Sequence, residues 1–407
     1  MKAERRTDRG FAPLREREFR LLFAGRVTSF VGTAMAPIAL AFAVLEITGS
    51  KTDLGLVLAA RQIPLIVFLL VGGLWADRVR RNRVMVAADL VSGVSQAAVA
   101  GLLIAGTAEI WHLAALAALN GSATAFFLPA SSGVIPQTVP AHLLQAANAL
   151  LRLGLNGSQI GGAVIAGFLV AAFGPGTAIA IDAFTYVAGA LFIVLMQIPA
   201  NARAEQKHLL RELRAGWTEF RTRTWLWVIV GQFSLINAVK WGGLFVLAPI
   251  VMRDEFGGAR DYGFLLMAQS IGLVTGGFVG LRFRPSRLLL AGNGAMLLTP
   301  LLLVALGFPL ALPLLLAAAF LAGVGLELFG TLWDTTIQQE IPPAALSRVY
   351  AYDMLGSVAV APIGLALAGP IAELIGVRET LLAGAAIVTV VTVAVFVVRD
   401  VRRLART

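Results

Sequence analysis

Residues 72–85 read "GGLWADRVRRNRVM", and their setting decides how the chain is organised. About twenty residues precede them with Arg61 as their single charge, enough to cross the roughly 30 Å hydrocarbon core of a bilayer. A Gly-Gly pair then lets two helices approach closely, and Arg78, Arg80, Arg81 and Arg83 follow within reach of anionic headgroups. The stretch is therefore the end of one membrane span and the turn into the next.

Working outward, the same pattern fills the chain. Of 407 residues, 58% are hydrophobic and 14% charged, with a mean hydropathy of +0.82, against about 25% charge in soluble domains. Apolar runs of spanning length lie at roughly 19–47, 53–76, 84–105, 110–135, 143–172, 176–198, 225–251, 261–281, 287–307, 312–337, 347–372 and 378–398. The reading is an all-α membrane protein of twelve transmembrane helices in two pseudo-symmetric six-helix bundles. The expected layout is an N-tail at 1–18, a first bundle at 19–198, a linker at 199–224, a second bundle at 225–398 and a C-tail at 399–407. The first run is too long for a signal peptide and lacks a small-x-small cleavage site, so it is expected to stay in the mature chain.

The net charge of +10 orients the chain and calls for no nucleic acid. With the termini cytoplasmic, basic residues of the N-tail, of 78–83, of 203–223, of 282–287 and of 399–406 share one side, and only Lys51, Arg253, Arg260 and Arg378 fall on the other. In the linker, Leu210, Leu213, Trp217 and Phe220 recur at helical spacing, which suits an amphipathic helix on the leaflet; a disordered linker is the alternative.

The halves repeat. Laying "GGLWADRVRRNRV" on "GGFVGLRFRPSRL" pairs Gly72 with Gly276, Gly73 with Gly277, Arg78 with Arg282, Arg80 with Arg284 and Arg83 with Arg287. Farther on, Pro140 pairs with Pro342, Gly154 with Gly356, Gly162 with Gly364, Gly167 with Gly369 and Gly174 with Gly376. Six is even, so both halves enter from the same side, as in transporters built from parallel repeats. Asp77 falls on Leu281, so the acid is peculiar to the first half. It contributes nothing to orientation and implies a partner, either a helix N-terminus or a neighbouring Arg.

"G-x-x-x-D-R-x-x-R" between spans 2 and 3 resembles the signature loop of the major facilitator superfamily, and span number and half-repeat extend the resemblance over the whole chain. It implies a conformational latch made by Gly73, Asp77, Arg78 and Arg81. Arg80 and Asn82 depart from the pattern, where the superfamily has a glycine and a second basic residue. "PASSGVIPQTVPAHLLQAANAL" at 129–150 and "IDAFTYVAGAL" at 181–191 are similar to the branch of macrolide efflux pumps, the enterobactin exporter and Tap-like drug exporters. The arginine that many proton-coupled exporters carry in span 4 has no counterpart here.

Arg26, Arg61, Asp89, Arg152, Asp182, Lys240, Glu327, Asp334 and Asp353 lie within spans. At about 2.5–3.5 kcal/mol each, leaving all of them in lipid would cost roughly 25 kcal/mol, so they must face water or one another. Glu327, Thr331, Asp334 and Gln338 share one helical face in span 10; Asn148, Arg152 and Gln159 do so in span 5; span 7 offers Asn237 and Lys240, with Phe233 one turn farther back. The resemblance implies a central cavity onto which these stripes turn. Glu327, with Lys240 as a possible partner, is the expected proton-coupling site, Asp334 and Asp353 being the other candidates; a fixed structural ion pair is the alternative. Asp89 and Asp182, on peripheral spans, read as structural, while Arg61 is placed to meet either substrate or Asp182. Further cavity candidates are Arg26, Phe127, Trp241 and Phe245, beside Met35, Phe126, Met267 and Trp333.

No phosphate-binding loop is present: "TGSKT" at 48–52 has Ser where the second glycine belongs. Neither His-Glu-x-x-His nor Gly-x-Ser-x-Gly occurs, His112, His142 and His208 are scattered, and there is no cysteine. "NGS" at 156–158 is a formal glycosylation sequon buried in span 5. The expectation is a non-enzymatic, monomeric exporter of amphipathic or cationic small molecules in a bacterial inner membrane, antiporting protons by alternating access, without cofactor or metal. Alternatives are a siderophore or metabolite exporter or importer, and a non-transporting sensor or scaffold.

Overall fold

The structure, a computed structural model, describes residues 11–198, 217–308 and 311–403, and within them not the side chains of 70–78, 281, 343–345, 347, 348, 351 and 403. Among the described residues, twelve helices are long and apolar enough to cross a membrane. We number them α1 Arg17–Ile47, α2 Lys51–Arg78, α3 Arg81–Ile104, α4 Ile110–Val134, α5 Leu144–Phe173, α6 Pro175–Val194, α7 Thr224–Glu255, α8 Ala259–Arg282, α9 Leu288–Gly307, α10 Leu312–Glu340, α11 Pro343–Val358 with Ala361–Ile375, and α12 Val377–Val395.

The chain divides into two compact units, one of residues 1–49 and 56–205, the other of residues 50–55 and 206–407. Within each, the same helix pairs pack. In the first unit α1 packs on α5 and α6, and α3 on α4 and α6; in the second, α7 packs on α11 and α12, and α9 on α10 and α12. The repeat seen in the sequence is thus a repeat of packing.

Short hairpins join successive spans at matching places. Gly174, after α5, and Gly376, after α11, have φ of 80° and 98°. Both end a helix in a conformation that a Cβ would strain, which is why glycine occupies this pair of repeat-related positions.

Three spans are less regular than their hydropathy implies, and each irregularity lies just before a proline. Span 9 is interrupted at Leu297–Leu298 ahead of Pro300, and span 11 at Ala359–Val360 ahead of Pro362. A proline lacks an N–H and its ring opposes the carbonyl four residues back. In α7, Gly242–Leu247 forms a π-helical turn ahead of Pro249. There the Ala248 N–H bonds to the Gly243 carbonyl. The next carbonyl in that register, Leu244, would need an N–H at position 249, which proline lacks. The hydroxyl of fully buried Tyr262 donates to it instead, at 2.9 Å. Pro37, Pro64, Pro129 and Pro370 lie within unbroken helices.

Of the expected linker helix, residues 199–216 lie outside the described residues, as does the N-tail at 1–10. Trp217 and Phe220 are described: their rings stack at 5.8 Å, and both meet Tyr352 of α11, at 5.5 and 5.9 Å.

Candidate functional site

In the second unit, α7, α10 and α11 enclose a cavity of about 230 Å³ lined by Phe233, Phe329, Trp333, Asp334, Asp353 and Ser357, among others. Helical spacing on α10 builds one wall, because positions 329 and 333 follow each other by one turn. The Phe329 and Trp333 rings are near parallel, at 6.3 Å and 8°, and Phe233 of α7 stacks on Phe329 at 5.2 Å. Trp225 meets Trp333 edge on, at 5.7 Å.

Two carboxyl groups share this cavity. The Trp333 indole Nε1 donates to Asp353 Oδ2 at 3.1 Å, and the Ser357 hydroxyl to Asp353 Oδ1 at 3.4 Å. Asp353 is thereby oriented and Asp334 adds a second negative charge on the same lining. Aromatic faces bind cations through their quadrupole, and a carboxylate beside them adds direct attraction, so this wall suits an apolar ligand carrying positive charge.

The residues expected to act together are distributed differently. Asp334 and Asp353 meet, as lining of one cavity. Glu327 does not line it: its side chain lies over Gly276 and Gly277 of α8, its Oε1 3.8 Å from where a Cβ on Gly277 would stand. Thr331 likewise sits against Gly280 of α8. The span 10 stripe is therefore divided, its first half turned to α8 and Asp334 to the cavity. Lys240 is half-buried and makes no ion pair or hydrogen bond among the described residues, so the suggested pairing with Glu327 is not formed. Asn237 is used structurally: its amide donates at 2.9 Å to the Ser357 carbonyl, which the interruption before Pro362 leaves without its helical partner. Trp241 and Phe245 form an edge-on pair at 5.9 Å.

In the first unit, Arg152 and Gln159 are exposed on α5 and Arg26 is half-buried on α1. Phe127 packs against an apolar cluster that includes Phe19, Leu22 and Met85. Arg61 donates to Asn120 Oδ1 at 3.0 Å. Of the expected latch, the side chains of Gly73, Asp77 and Arg78 lie outside the described residues, and Arg81 donates to the Gly133 carbonyl of α4. Phe329 and Trp225 were not singled out from sequence. The only signal for Phe329 was its place one turn before Trp333, on a span whose facing helices were unknown.

Twelve membrane helices among the described residues and two units repeating one packing scheme are what a transporter of the major facilitator superfamily requires, and a family model of that superfamily matches the chain. Solved structures share the fold: the nucleoside transporter NupG has a TM-score of 0.72 at 14% identity over 94% of this chain and 99% of its own. A bacterial homologue of the lysosomal transporter Spinster has a TM-score of 0.70 at 16% identity, covering 95% and 97%. Within the superfamily, the chain belongs to the transmembrane secretion effector family, whose model matches residues 8–405. Among its curated relatives, the multidrug efflux pump Tap of Mycolicibacterium fortuitum is 27% identical over 89% of this chain and 91% of that protein. Macrolide efflux protein A of Streptococcus pyogenes is 22% identical over 95% and 97%. The chain is thus a multi-pass protein of a bacterial inner membrane.

Proposed function

We propose that this chain is a secondary active exporter of amphipathic organic cations, working by alternating access and driven by proton re-entry, with both termini cytoplasmic and the monomer as the working unit. The observation that carries the reading is the cavity in which the Trp333 indole holds Asp353 beside Asp334 and the Phe233–Phe329–Trp333 stack. The relatives' names point to drug and macrolide efflux. Two carboxylates on one lining oppose an anionic cargo, which weighs against an anionic siderophore. Protons are the proposed counter-ion, and Glu327, half-buried on α10, is the carboxyl proposed to carry them in the second half. The superfamily latch of Gly73, Asp77, Arg78 and Arg81 is proposed to act between conformations.

Expression in a host lacking its own dye pumps tests this. Cells should accumulate less ethidium, and a protonophore should restore accumulation. Equal accumulation with and without the protein would overturn the efflux reading; efflux untouched by the protonophore would overturn the proton drive.

A further inference from the structure

A second polar cluster lies inside the first unit, where the aromatic cavity has no part. The α1–α6 crossing is built from small residues: Gly25, Ser29 and Gly32 face Gly189, Thr185 and Asp182. This close approach encloses Asp182 completely, at 0% exposure. Its Oδ2 accepts from Gln96 of α3 at 2.5 Å. Its Oδ1 has no hydrogen-bond partner among the described residues and rests on Gly32, 2.3 Å from where a Cβ would stand.

No cation lies within ion-pair distance of this carboxyl among the described residues. Arg61 of α2 lines the same small cavity as Gln96, the donor to Asp182, yet its Nε is committed to Asn120 Oδ1 at 3.0 Å. The other groups around Asp182 are few. From its own helix comes Tyr186, whose hydroxyl meets Thr33 Oγ1 at 3.0 Å; α1 presents Ser29, Gly32 and Thr33; α4 presents Asn120. Asp89 of α3, 2% exposed, lies two turns from Gln96 with Ser29 beside it. Arg152, the basic residue of α5, is exposed. A cavity of about 30 Å³, room for one water, is lined by Arg61, Gln96 and Asn120.

The internal repeat separates a structural role from a functional one. The second unit repeats the packing without three of these groups: the alignments that pair Gly72 with Gly276 and Gly174 with Gly376 set Leu265 opposite Arg61, Pro300 opposite Gln96 and Gly384 opposite Asp182, while Asp89 falls on the uncharged Asn293. The scaffold therefore needs no charge at these places, and apolar replacements of buried ionic groups are often neutral or stabilising. A completely buried carboxylate without a counter-ion costs several kcal/mol, whereas a carboxyl holding a proton does not.

We propose that Asp182 is a proton-binding site of the transporter and that Arg61, parked on Asn120, is the cation that answers its charge. The exchange breaks the carboxyl O–H bond, passes the proton to a water in the adjoining cavity and leaves a carboxylate. That charge draws the Arg61 guanidinium from Asn120 towards Asp182. α2 and α4 touch there, since a Cβ on Gly121 would stand 1.9 Å from the Arg61 carbonyl, so the shift moves one helix against the other. The proposal thus gives Asp182 a role beyond the structural one read from the sequence.

The proposal rests on proton-coupled export, and everted membrane vesicles holding the full-length protein distinguish the two. In respiring vesicles, adding ethidium to wild type should release protons, seen as recovery of quenched acridine-dye fluorescence, while Asp182→Asn should release several-fold fewer, the rest passing through Glu327, and retain ethidium counterflow. Infrared pH-difference spectra of the purified protein should show a protonated-carboxyl C=O band that Asp182→Asn removes, and this reads the proton whether or not the variant transports. No proton release by wild type would sink the coupled-export reading itself. Proton release by Asp182→Asn as strong as wild type, or a spectrum without a band assignable to Asp182, would sink the present proposal alone.

Discussion

Asp353→Asn is the sharpest test of the aromatic cavity, because it removes a charge and almost nothing else. The amide has the carboxylate's size, its oxygen still accepts from the Trp333 indole, and its NH2 can donate to the Ser357 hydroxyl, so the 3.1 and 3.4 Å contacts both survive. A ligand cation seated on the Trp333 face would lie about 5 Å from the carboxylate, worth roughly 3 kcal/mol at an effective dielectric of about 20. Asp353 is half-buried, so solvent screening reduces this to about 1.4 kcal/mol, a loss of about tenfold in affinity. Titration calorimetry in detergent with tetraphenylphosphonium and with neutral triphenylphosphine oxide separates charge from shape. The cation should weaken about tenfold and the neutral compound hardly at all. Equal losses for the two, or an unchanged cation affinity, would refute the reasoning.

Three further outcomes follow from particular contacts. Tyr262→Phe should lower stability by about 0.6–1.7 kcal/mol, because the Leu244 carbonyl loses its donor; in a Pro249→Ala background, which restores an N–H at that place, the loss should shrink, and thermal unfolding of the four variants measures the coupling. Asn237→Leu strands the Ser357 carbonyl and should cost about 1–2 kcal/mol in the same assay; an unchanged melting temperature would mean that another donor already serves it. Gly121→Ala sets a Cβ against the Arg61 carbonyl and should destabilise by about 1–3 kcal/mol, while Gly157→Ala, which meets nothing within 4 Å, serves as the control.

The spans were legible because membrane insertion is nearly local physics: a run of apolar residues of bilayer length declares itself without reference to the rest of the chain. The repeat was legible for a related reason, since Gly174 and Gly376 meet the same backbone need at equivalent hairpins. Partners were not. The Glu327–Lys240 pairing was inferred from similar depth alone, and depth fixes one coordinate of three; Glu327 lies instead over the glycines of α8. Asp334 and Asp353 are 19 positions apart, on helices joined by a turn, yet only the packing of α10 against α7 and α11 makes them one lining. The π turn had a visible cause in Pro249, but Pro37 and Pro64 are equally visible and stay within continuous helix.

By itself the amino-acid sequence determined the twelve spans, the two-fold internal repeat, the superfamily and the list of ionisable groups too costly to leave in lipid. Only the tertiary structure decided which of those groups meet: Gln96 with Asp182 across 86 positions, Arg61 with Asn120 across 59, and Trp333 with Asp353 across 20. The physical reason is that the cost of burying a charge can be read from one residue and its neighbours in sequence. The group that offsets that cost is chosen by helix packing, where a glycine such as Gly32 or Gly121 admits a neighbour's polar atom that any Cβ would exclude.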